Sequence, residues 1–155
     1  MVTKFRALAA RANYLAADRP DIQFTVKTIC QRMAQPRVGD WKVIKRLAKY
    51  LKNHPRVVFT YGPSTSTGTI NAYSDADWAG CRQTARSTTG GAIMRGSHCL
   101  KTWASTQKSV ALSSGESELL AAVKAGCEAR GIIQMGNEIG VEMEADILVD
   151  SNAAI

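Results

Sequence analysis

The sequence lacks any hydrophobic run long enough to cross a membrane. A membrane-spanning helix needs about 18 or more consecutive apolar residues, and the 155-residue sequence contains no such run. The first 20 residues carry a charge in nearly every helical turn, so the apolar region of a secretory signal peptide is missing. We therefore expect an intracellular protein that has no membrane partner and is not secreted.

Closely spaced cysteines are also missing. Cys30, Cys81, Cys99 and Cys127 lie 51, 18 and 28 residues apart, so no pair has the spacing of a zinc knuckle or a redox motif. His98 lies beside Cys99 but has no second pair of ligands near it in the sequence. We expect four reduced, mostly buried thiols, as is usual inside cells.

Acidic residues are scarce in the first half of the chain. Residues 1–69 carry 13 Lys and Arg against 3 Asp, a net charge of +10, whereas residues 70–155 carry 7 Lys and Arg against 10 Asp and Glu, a net charge of −3. A basic segment suits a polyanion, and an acidic one can hold cations. The balance changes at PSTSTG, residues 63–68, which is typical of a turn. We predict a helical segment over residues 1–63 and a second domain over residues 64–155.

The basic segment is predicted to contain three helices, over residues 4–17, 21–34 and 41–53, the third capped by Asp40. In this third helix, WKVIKRLAKYLKN, the apolar residues recur every 3.6 positions and five cations share the other side. A solvated helix face usually mixes both signs of charge, so a face of one sign favours contact with nucleic-acid phosphates, and a purely solvated face is the alternative. The five cations are Lys42, Lys45, Arg46, Lys49 and Lys52.

The second domain shows a β pattern followed by an α pattern. VVFTYG, residues 57–62, is a strand candidate before it, and further strands are predicted near residues 70–75, 91–95, 98–104 and 146–150. Ser113 followed by Glu116 forms a capping box and starts a helix that runs to about residue 139. One stripe of this helix is built of small residues and is expected to lie close against the sheet, at positions Glu118, Ala122, Ala125, Gly126 and Ala129. Residues 147–149 form an apolar run typical of a strand covered on both faces. We predict an α/β domain, a mixed sheet with a covering helix and the first strand between the hairpin and the fourth strand.

Three acids take comparable positions in this pattern. Asp75 lies at or near the end of the first strand, Glu118 in the first turn of the helix and Asp150 at the end of the fourth strand. Functional groups gather at the carboxyl ends of strands in such sheets. Clustered carboxylates repel one another unless a divalent cation neutralises them, and oxygen ligands select Mg²⁺ or Mn²⁺. Two such ions about 4 Å apart can activate a water and stabilise the leaving oxygen of a phosphodiester.

Longer strings of residues carry a resemblance to a known family. YSDADWAG, RSTTGG, KTWASTQKSVALSSGESELLAA and ILVDSNAAI occur in this order over residues 73–155. Together they resemble the ribonuclease H domain of copia-type retrotransposon polyproteins. FRALAARANYLAADRPDI and DWKVIKRLAKYLKNHP resemble the segment that links the polymerase of those elements to that domain. The resemblance covers nearly the whole chain.

The resemblance implies a ribonuclease H-like fold and metal-dependent hydrolysis of the RNA strand of an RNA–DNA hybrid. It implies catalytic and metal-binding roles for Asp75, Glu118 and Asp150, with Mg²⁺ or Mn²⁺ as cofactor. The implied partners are the hybrid, or another nucleic acid, and the remainder of the Pol polyprotein, in the cytoplasm (in a virus-like particle) or the nucleus. Glu116 is better explained as the capping-box partner, although periodicity alone leaves it open as the ligand. Asp77 is better explained as a turn residue, or as a residue that supports the metal ligands, than as a ligand itself.

The sequence also departs from the family pattern. No polymerase motif with paired Asp after Tyr occurs upstream of YSDADWAG, and the family has a fourth acid and a final helix beyond VDSNAAI. We therefore expect a fragment with weak cleavage or none. The alternatives are a non-catalytic nucleic-acid-binding remnant and a structural tether between polyprotein domains. Trp78 and Trp103 are predicted to be core residues rather than platforms for nucleic-acid bases.

Overall fold

A computed structural model describes residues 1–63 and 68–150. The chain divides into an N-terminal unit, Met1–Thr60, and a C-terminal unit, Tyr61–Ile155. The predicted boundary between residues 63 and 64 and most of the predicted turn fall on residues 64–67, outside the described residues. Within the described ranges, no helix combines the length and the apolar character that a membrane crossing requires.

The N-terminal unit contains the three predicted helices. They are α1 (Val2–Leu15), α2 (Gln23–Cys30) and α3 (Asp40–Asn53), with a 3₁₀ turn at Pro20–Ile22 before α2. Their apolar faces meet in one core, and the burial of these side chains is what holds so short a unit together. The core consists of Phe5, Ala9, Ala16, Ile22, Val26, Ile29 and Leu47, with Trp41, Val43, Ile44 and Leu51 packed against it.

Two predicted helix boundaries are wrong. Helix α2 ends at Cys30 rather than near residue 34, and in the following segment Arg6 of α1 donates to the carbonyls of Met33 (2.8 Å) and Ala34 (3.2 Å). Asp40 is the first residue of α3 and not its cap, because its carboxylate accepts from the backbone N–H of Arg37 at 2.6 Å, outside the helix.

Arg19 fixes the end of α3. Its guanidinium is 6% exposed, pairs with Asp21 at 2.8 Å and donates to the carbonyl of His54 at 3.0 Å, just after the helix. The hydrogen bond from Arg19 lowers the pKa of Asp21. The cation-bearing helix is therefore held at its carboxyl end by the buried Arg19, which is paired with the more exposed Asp21.

The predicted strand VVFTYG is absent. Residues 54–63 have no regular structure, and the side chain of Val58 is 80% exposed. An alternating apolar pattern forms a strand only where a neighbouring strand accepts its backbone hydrogen bonds, and none of the described strands pairs with this segment.

The C-terminal unit is an α/β fold with a four-stranded mixed sheet. Its elements are β1 (Thr69–Cys81), β2 (Arg86–Arg95), β3 (His98–Thr106), α4 (Ser114–Glu138) and β4 (Glu144–Leu148). The strand order is β3-β2-β1-β4, with β1–β2 and β2–β3 antiparallel and β1–β4 parallel. The predicted order is confirmed, because β1 lies between the hairpin and β4.

Helix α4 packs on one face of the sheet through small side chains. Ala125 and Ala129 lie against Ile70, Ala72 and Ile93 in one buried cluster. The helix backbone also comes close to β4, because a Cβ added at Gly126 would lie 3.1 Å from the Ile147 side chain. The predicted small-residue stripe is confirmed for Glu118, Ala125 and Ala129, which are buried, whereas Ala121 is buried in place of Ala122.

Three burial predictions are wrong. Ile147 and Leu148 are 47% and 41% exposed, because β4 is an edge strand and α4 covers only one of its faces. Trp78 is 49% exposed, whereas Trp103 packs against the core as predicted. All four cysteines are free, as predicted, but three are partly buried and Cys127 is exposed.

Candidate functional site

The structure brings the three predicted carboxylates together. Asp75, Glu118 and Asp150 each offer one oxygen, and the three oxygens lie within 4.8 Å of one another. Asp75 belongs to β1, Glu118 to the start of α4, and Asp150 follows β4. The cluster therefore joins three elements that are distant in sequence.

The register of the two parallel strands explains how Asp75 and Asp150 meet. The last pair between β1 and β4 is Tyr73 with Leu148. Asp75 and Asp150 each lie two residues beyond that pair, so the two acids lie side by side at the point where β4 ends beside β1. Strand β1 itself continues to Cys81, paired only with β2, and the prediction that it ends near residue 75 is therefore wrong.

The start of α4 separates the roles of its two glutamates. The side chain of Ser113 accepts from the N–H of Glu116 at 3.1 Å, which is the first bond of the predicted capping box. The Glu116 carboxylate accepts from the N–H of Leu112 at 2.6 Å, one residue before the cap, rather than from Ser113. Glu118 instead faces the sheet, where one of its oxygens accepts from the backbone N–H of Ala76 at 3.3 Å. The cluster contains Glu118 and does not contain Glu116.

Glu118 is the buried member of the cluster. It is 7% exposed, and its second carboxylate oxygen, Oε2, is buried without a hydrogen-bond partner among the described residues. Burial raises the pKa of Glu118, the bond from Ala76 opposes this rise, and the charges of Asp75 and Asp150 add to it. A cation in the cluster would relieve both the burial penalty and the repulsion.

The donor set fits a hard divalent cation. Two oxygens bound to one Mg²⁺ can be at most about 4.2 Å apart, which is twice a bond length of about 2.1 Å. The three oxygens of the cluster lie within 4.8 Å of one another, and a small rotation of a side chain would close the difference. Three carboxylate oxygens and no nitrogen or sulfur are the ligands that Mg²⁺ and Mn²⁺ prefer. That these residues bind a metal and act in catalysis stays a prediction.

Asp77 and Trp78, the two residues that follow Ala76 in β1, have structural contacts. A Cβ added at Gly80 would collide with the carboxylate of Asp77, so Asp77 packs over this part of β1, and it is not in the cluster. The indole N–H of Trp78 donates to the carbonyl of Ala111 at 3.0 Å and ties β1 to the segment before α4. No sequence signal identifies this contact, because its acceptor is a backbone carbonyl.

The predicted cationic face of α3 is exposed. Lys42, Lys45, Arg46, Lys49 and Lys52 are all exposed, and none forms an ion pair with a described residue. Lys42 and Lys45 also line a groove with Lys4 of α1, and Val38 and Trp41 form its apolar part. The exposed positive charge is available to a polyanion, and its binding of nucleic acid stays a prediction.

Comparison with known proteins gives the family. A retrovirus-related Pol polyprotein from transposon RE2 of Arabidopsis thaliana is 32% identical over 142 residues, 91% of this chain. The Pol polyprotein from transposon RE1 of the same plant is 32% identical over 143 residues. The chain belongs to the Pol polyproteins of copia-type retrotransposons. An uncharacterized mitochondrial protein of Arabidopsis thaliana is 37% identical over 116 residues, 74% of this chain.

The shared length is a small part of most of these relatives. The chain spans 10% of each of the two polyproteins and 47% of the mitochondrial protein. No protein-family model matches the chain, and no solved structure matches it.

The raised pKa of Glu118 predicts a stability that depends on pH. In the metal-free chain the folded state binds the Glu118 proton more tightly than the unfolded state does, so stability falls as the pH rises from the unfolded pKa, about 4.3, through the higher folded pKa. Glu118→Gln should therefore unfold at a higher urea concentration than the wild type at pH 7 in EDTA. Below the unfolded pKa the two should unfold alike.

Glu116→Gln is the matched control, because it makes the same change two residues away and Gln also completes a capping box. It should show no gain in stability at pH 7. A wild type that is more stable than Glu118→Gln at pH 7 in EDTA would contradict the raised pKa that burial and the two neighbouring acids give Glu118.

Proposed function

We propose that the C-terminal unit is a ribonuclease H-type domain that hydrolyses the RNA strand of RNA–DNA hybrids. The observation that carries the proposal is the meeting of Asp75, Glu118 and Asp150 at one edge of the sheet. Asp75, Glu118 and Asp150 would hold Mg²⁺ or Mn²⁺. When bound, such ions would activate the attacking water and stabilise the leaving oxygen.

The exposure of the three side chains suits the binding of ions that also contact a substrate. Asp75 and Asp150 are exposed and can approach ions that also contact a phosphodiester, whereas Glu118 is buried and anchored on the N–H of Ala76. A phosphate would be repelled by three bare carboxylates, so substrate binding at this edge depends on neutralisation of the cluster. The chain's own part in the reaction is to hold the carboxylates in place and to leave one side of the cluster open.

The fold and the family both support the proposal. An antiparallel β3-β2-β1 meander followed by a helix and a parallel β4 beside β1 is compatible with a ribonuclease H-like fold. The relatives from transposons RE1 and RE2 are named as Pol polyproteins, and a Pol polyprotein that copies RNA into DNA passes through an RNA–DNA hybrid.

The cationic face of α3 supports a second role, the binding of the hybrid backbone. Phosphate contacts fix the position of a nucleic acid without reading its sequence, and hybrids are recognised mainly by backbone and shape. The five exposed cations on α3 supply charge for such contacts. Binding without cleavage is the alternative function if the carboxylates hold no metal.

Cleavage is tested with a labelled RNA–DNA hybrid and an excess of the 155-residue chain, so that slow turnover is detected. We expect release of RNA fragments that requires Mg²⁺ or Mn²⁺ and that Asp75→Asn reduces to the background. Asp77→Asn is the matched control, since it makes the same change two residues along β1 but outside the cluster, and it should retain cleavage. Equal metal-dependent cleavage by Asp75→Asn and wild type would overturn the assignment of the site, and no metal-dependent cleavage by any of the three would leave binding as the function.

The role of α3 predicts a change in salt dependence. Replacing Lys45, Arg46 and Lys49 together by Ala should weaken hybrid binding for every sequence and lower the slope of log Kd against log salt by roughly 0.9 for each lost phosphate contact. The measurement is fluorescence anisotropy at several salt concentrations. Replacing Arg11, Arg37 and Arg56 removes the same charge from exposed positions outside α3. If both triple variants change the slope by the same amount, the cations of α3 make no particular phosphate contacts and their face is only solvated.

A further inference from the structure

Gln107 lies at the end of β3 and is almost completely buried. The strand ends at Thr106, and Gln107 is 8% exposed. Its backbone N–H donates to the carbonyl of Ser87 at 2.9 Å, which fixes the residue beside β2. Its side chain then extends from the sheet to the first turns of α4. Burial of a long polar side chain is costly unless hydrogen bonds offset it. Gln107 makes its bonds through Nε2, whereas its Oε1 is buried without a partner among the described residues.

The carboxamide of Gln107 bridges β2 and α4. Its Nε2 group donates to the hydroxyl of Thr89 at 3.0 Å and to the carbonyl of Ser117 at 2.8 Å. A backbone carbonyl can only accept, so the amide nitrogen, and not the amide oxygen, must face Ser117. Both N–H groups of the carboxamide are thus used, one on each element.

These bonds join a ring that includes Glu118. Ser117 directly precedes Glu118, and Glu118 accepts from the N–H of Ala76. Ala76 of β1 pairs with Thr89 of β2, and the hydroxyl of Thr89 accepts from Gln107, which closes the ring. The position of the Glu118 backbone is therefore determined from β2 through Gln107, and the position of its carboxylate from β1 through Ala76. Helix α4 is held at the turn that carries the buried ligand.

We propose that Gln107 is a positioning residue that fixes Glu118 in the cluster. The inference rests on the proposed function, because it concerns the same three carboxylates. Gln107 touches neither Asp75 nor Asp150 in any described bond, and it acts through Ser117. Groups that orient metal ligands change metal affinity by about 10- to 100-fold when they are removed, so the loss of this bridge has a measurable effect on the metal and not only on stability.

Two substitutions remove the bridge in different ways. Gln107→Glu keeps the size of the side chain, but an ionised carboxylate only accepts and would face the carbonyl of Ser117 without a donor. Gln107→Leu removes all polar atoms. At the other end, Thr89→Val removes the hydroxyl at nearly equal volume, whereas Thr89→Ser keeps it. Gln134→Leu is the control for a change of Gln to Leu, because Gln134 is exposed on α4, the helix that Gln107 contacts.

The experiment measures Mn²⁺ binding by the electron paramagnetic resonance of free Mn²⁺, with the 155-residue chain held well below its melting temperature. We expect Kd to rise about tenfold or more in Gln107→Glu and Gln107→Leu and to rise in Thr89→Val. We expect Thr89→Ser and Gln134→Leu to bind like the wild type. The second readout is hydrogen exchange at the N–H of Ala76 in EDTA, which should become faster where Glu118 is displaced.

The outcomes separate the two proposals. If Asp75→Asn binds Mn²⁺ like the wild type, or if the wild type binds none, the metal centre is wrong, and exchange at Ala76 still tests whether Gln107 positions Glu118. If Asp75→Asn loses binding while the Gln107 variants keep wild-type affinity and wild-type exchange, the inference about Gln107 alone is wrong. If the Gln107 variants do not fold, equal affinities of Thr89→Val and Thr89→Ser overturn it.

Discussion

The candidate site depends on the parallel pairing of β4 with β1. This pairing stops at Tyr73 and Leu148, and Asp75 and Asp150 each lie two residues beyond it, at the same level. Beyond this pair, no described residue of β4 pairs with β1. Three residues further along β1, the N–H of Ala76 donates to the carboxylate of Glu118. A shift of β4 by one residue would turn Asp150 to the other face of the sheet and separate the cluster.

The cluster stores an electrostatic cost in the metal-free chain. Glu118 is buried beside two other acids, and both circumstances favour its neutral form. Proteins retain such unfavourable arrangements chiefly at functional sites, where a ligand relieves them. Elsewhere the surrounding structure is well packed: small alanines let α4 approach the sheet, and Nε2 of Gln107 is hydrogen-bonded to both Thr89 and Ser117 in a buried polar bridge.

Local sequence signals predicted the parts of the site that local chemistry determines. The capping box of Ser113 and Glu116 located the start of α4, and the alternation of β1 together with the helix between it and β4 gave the strand order. The wrong predictions concern which elements become neighbours and which strand lies at the edge of the sheet. VVFTYG has the composition of a strand but no neighbour, residues 147–148 have the composition of a covered strand but lie at an edge, and the choice between Ala121 and Ala122 depends on the rotation of α4 about its axis. The bonds of Ala76, Trp78 and Gln107 to partners 10 or more residues away exist only in the folded chain.

The central claim is that Asp75, Glu118 and Asp150 share a divalent cation. Crystals of the chain soaked in MnCl₂ test it most directly, because manganese gives an anomalous diffraction signal that marks its position without reference to the protein atoms. We predict a manganese peak within bonding distance of one carboxylate oxygen from each of the three residues, and its loss in Asp75→Asn. A fully soaked crystal with manganese bound elsewhere, or with no manganese at this edge of the sheet, would contradict the claim.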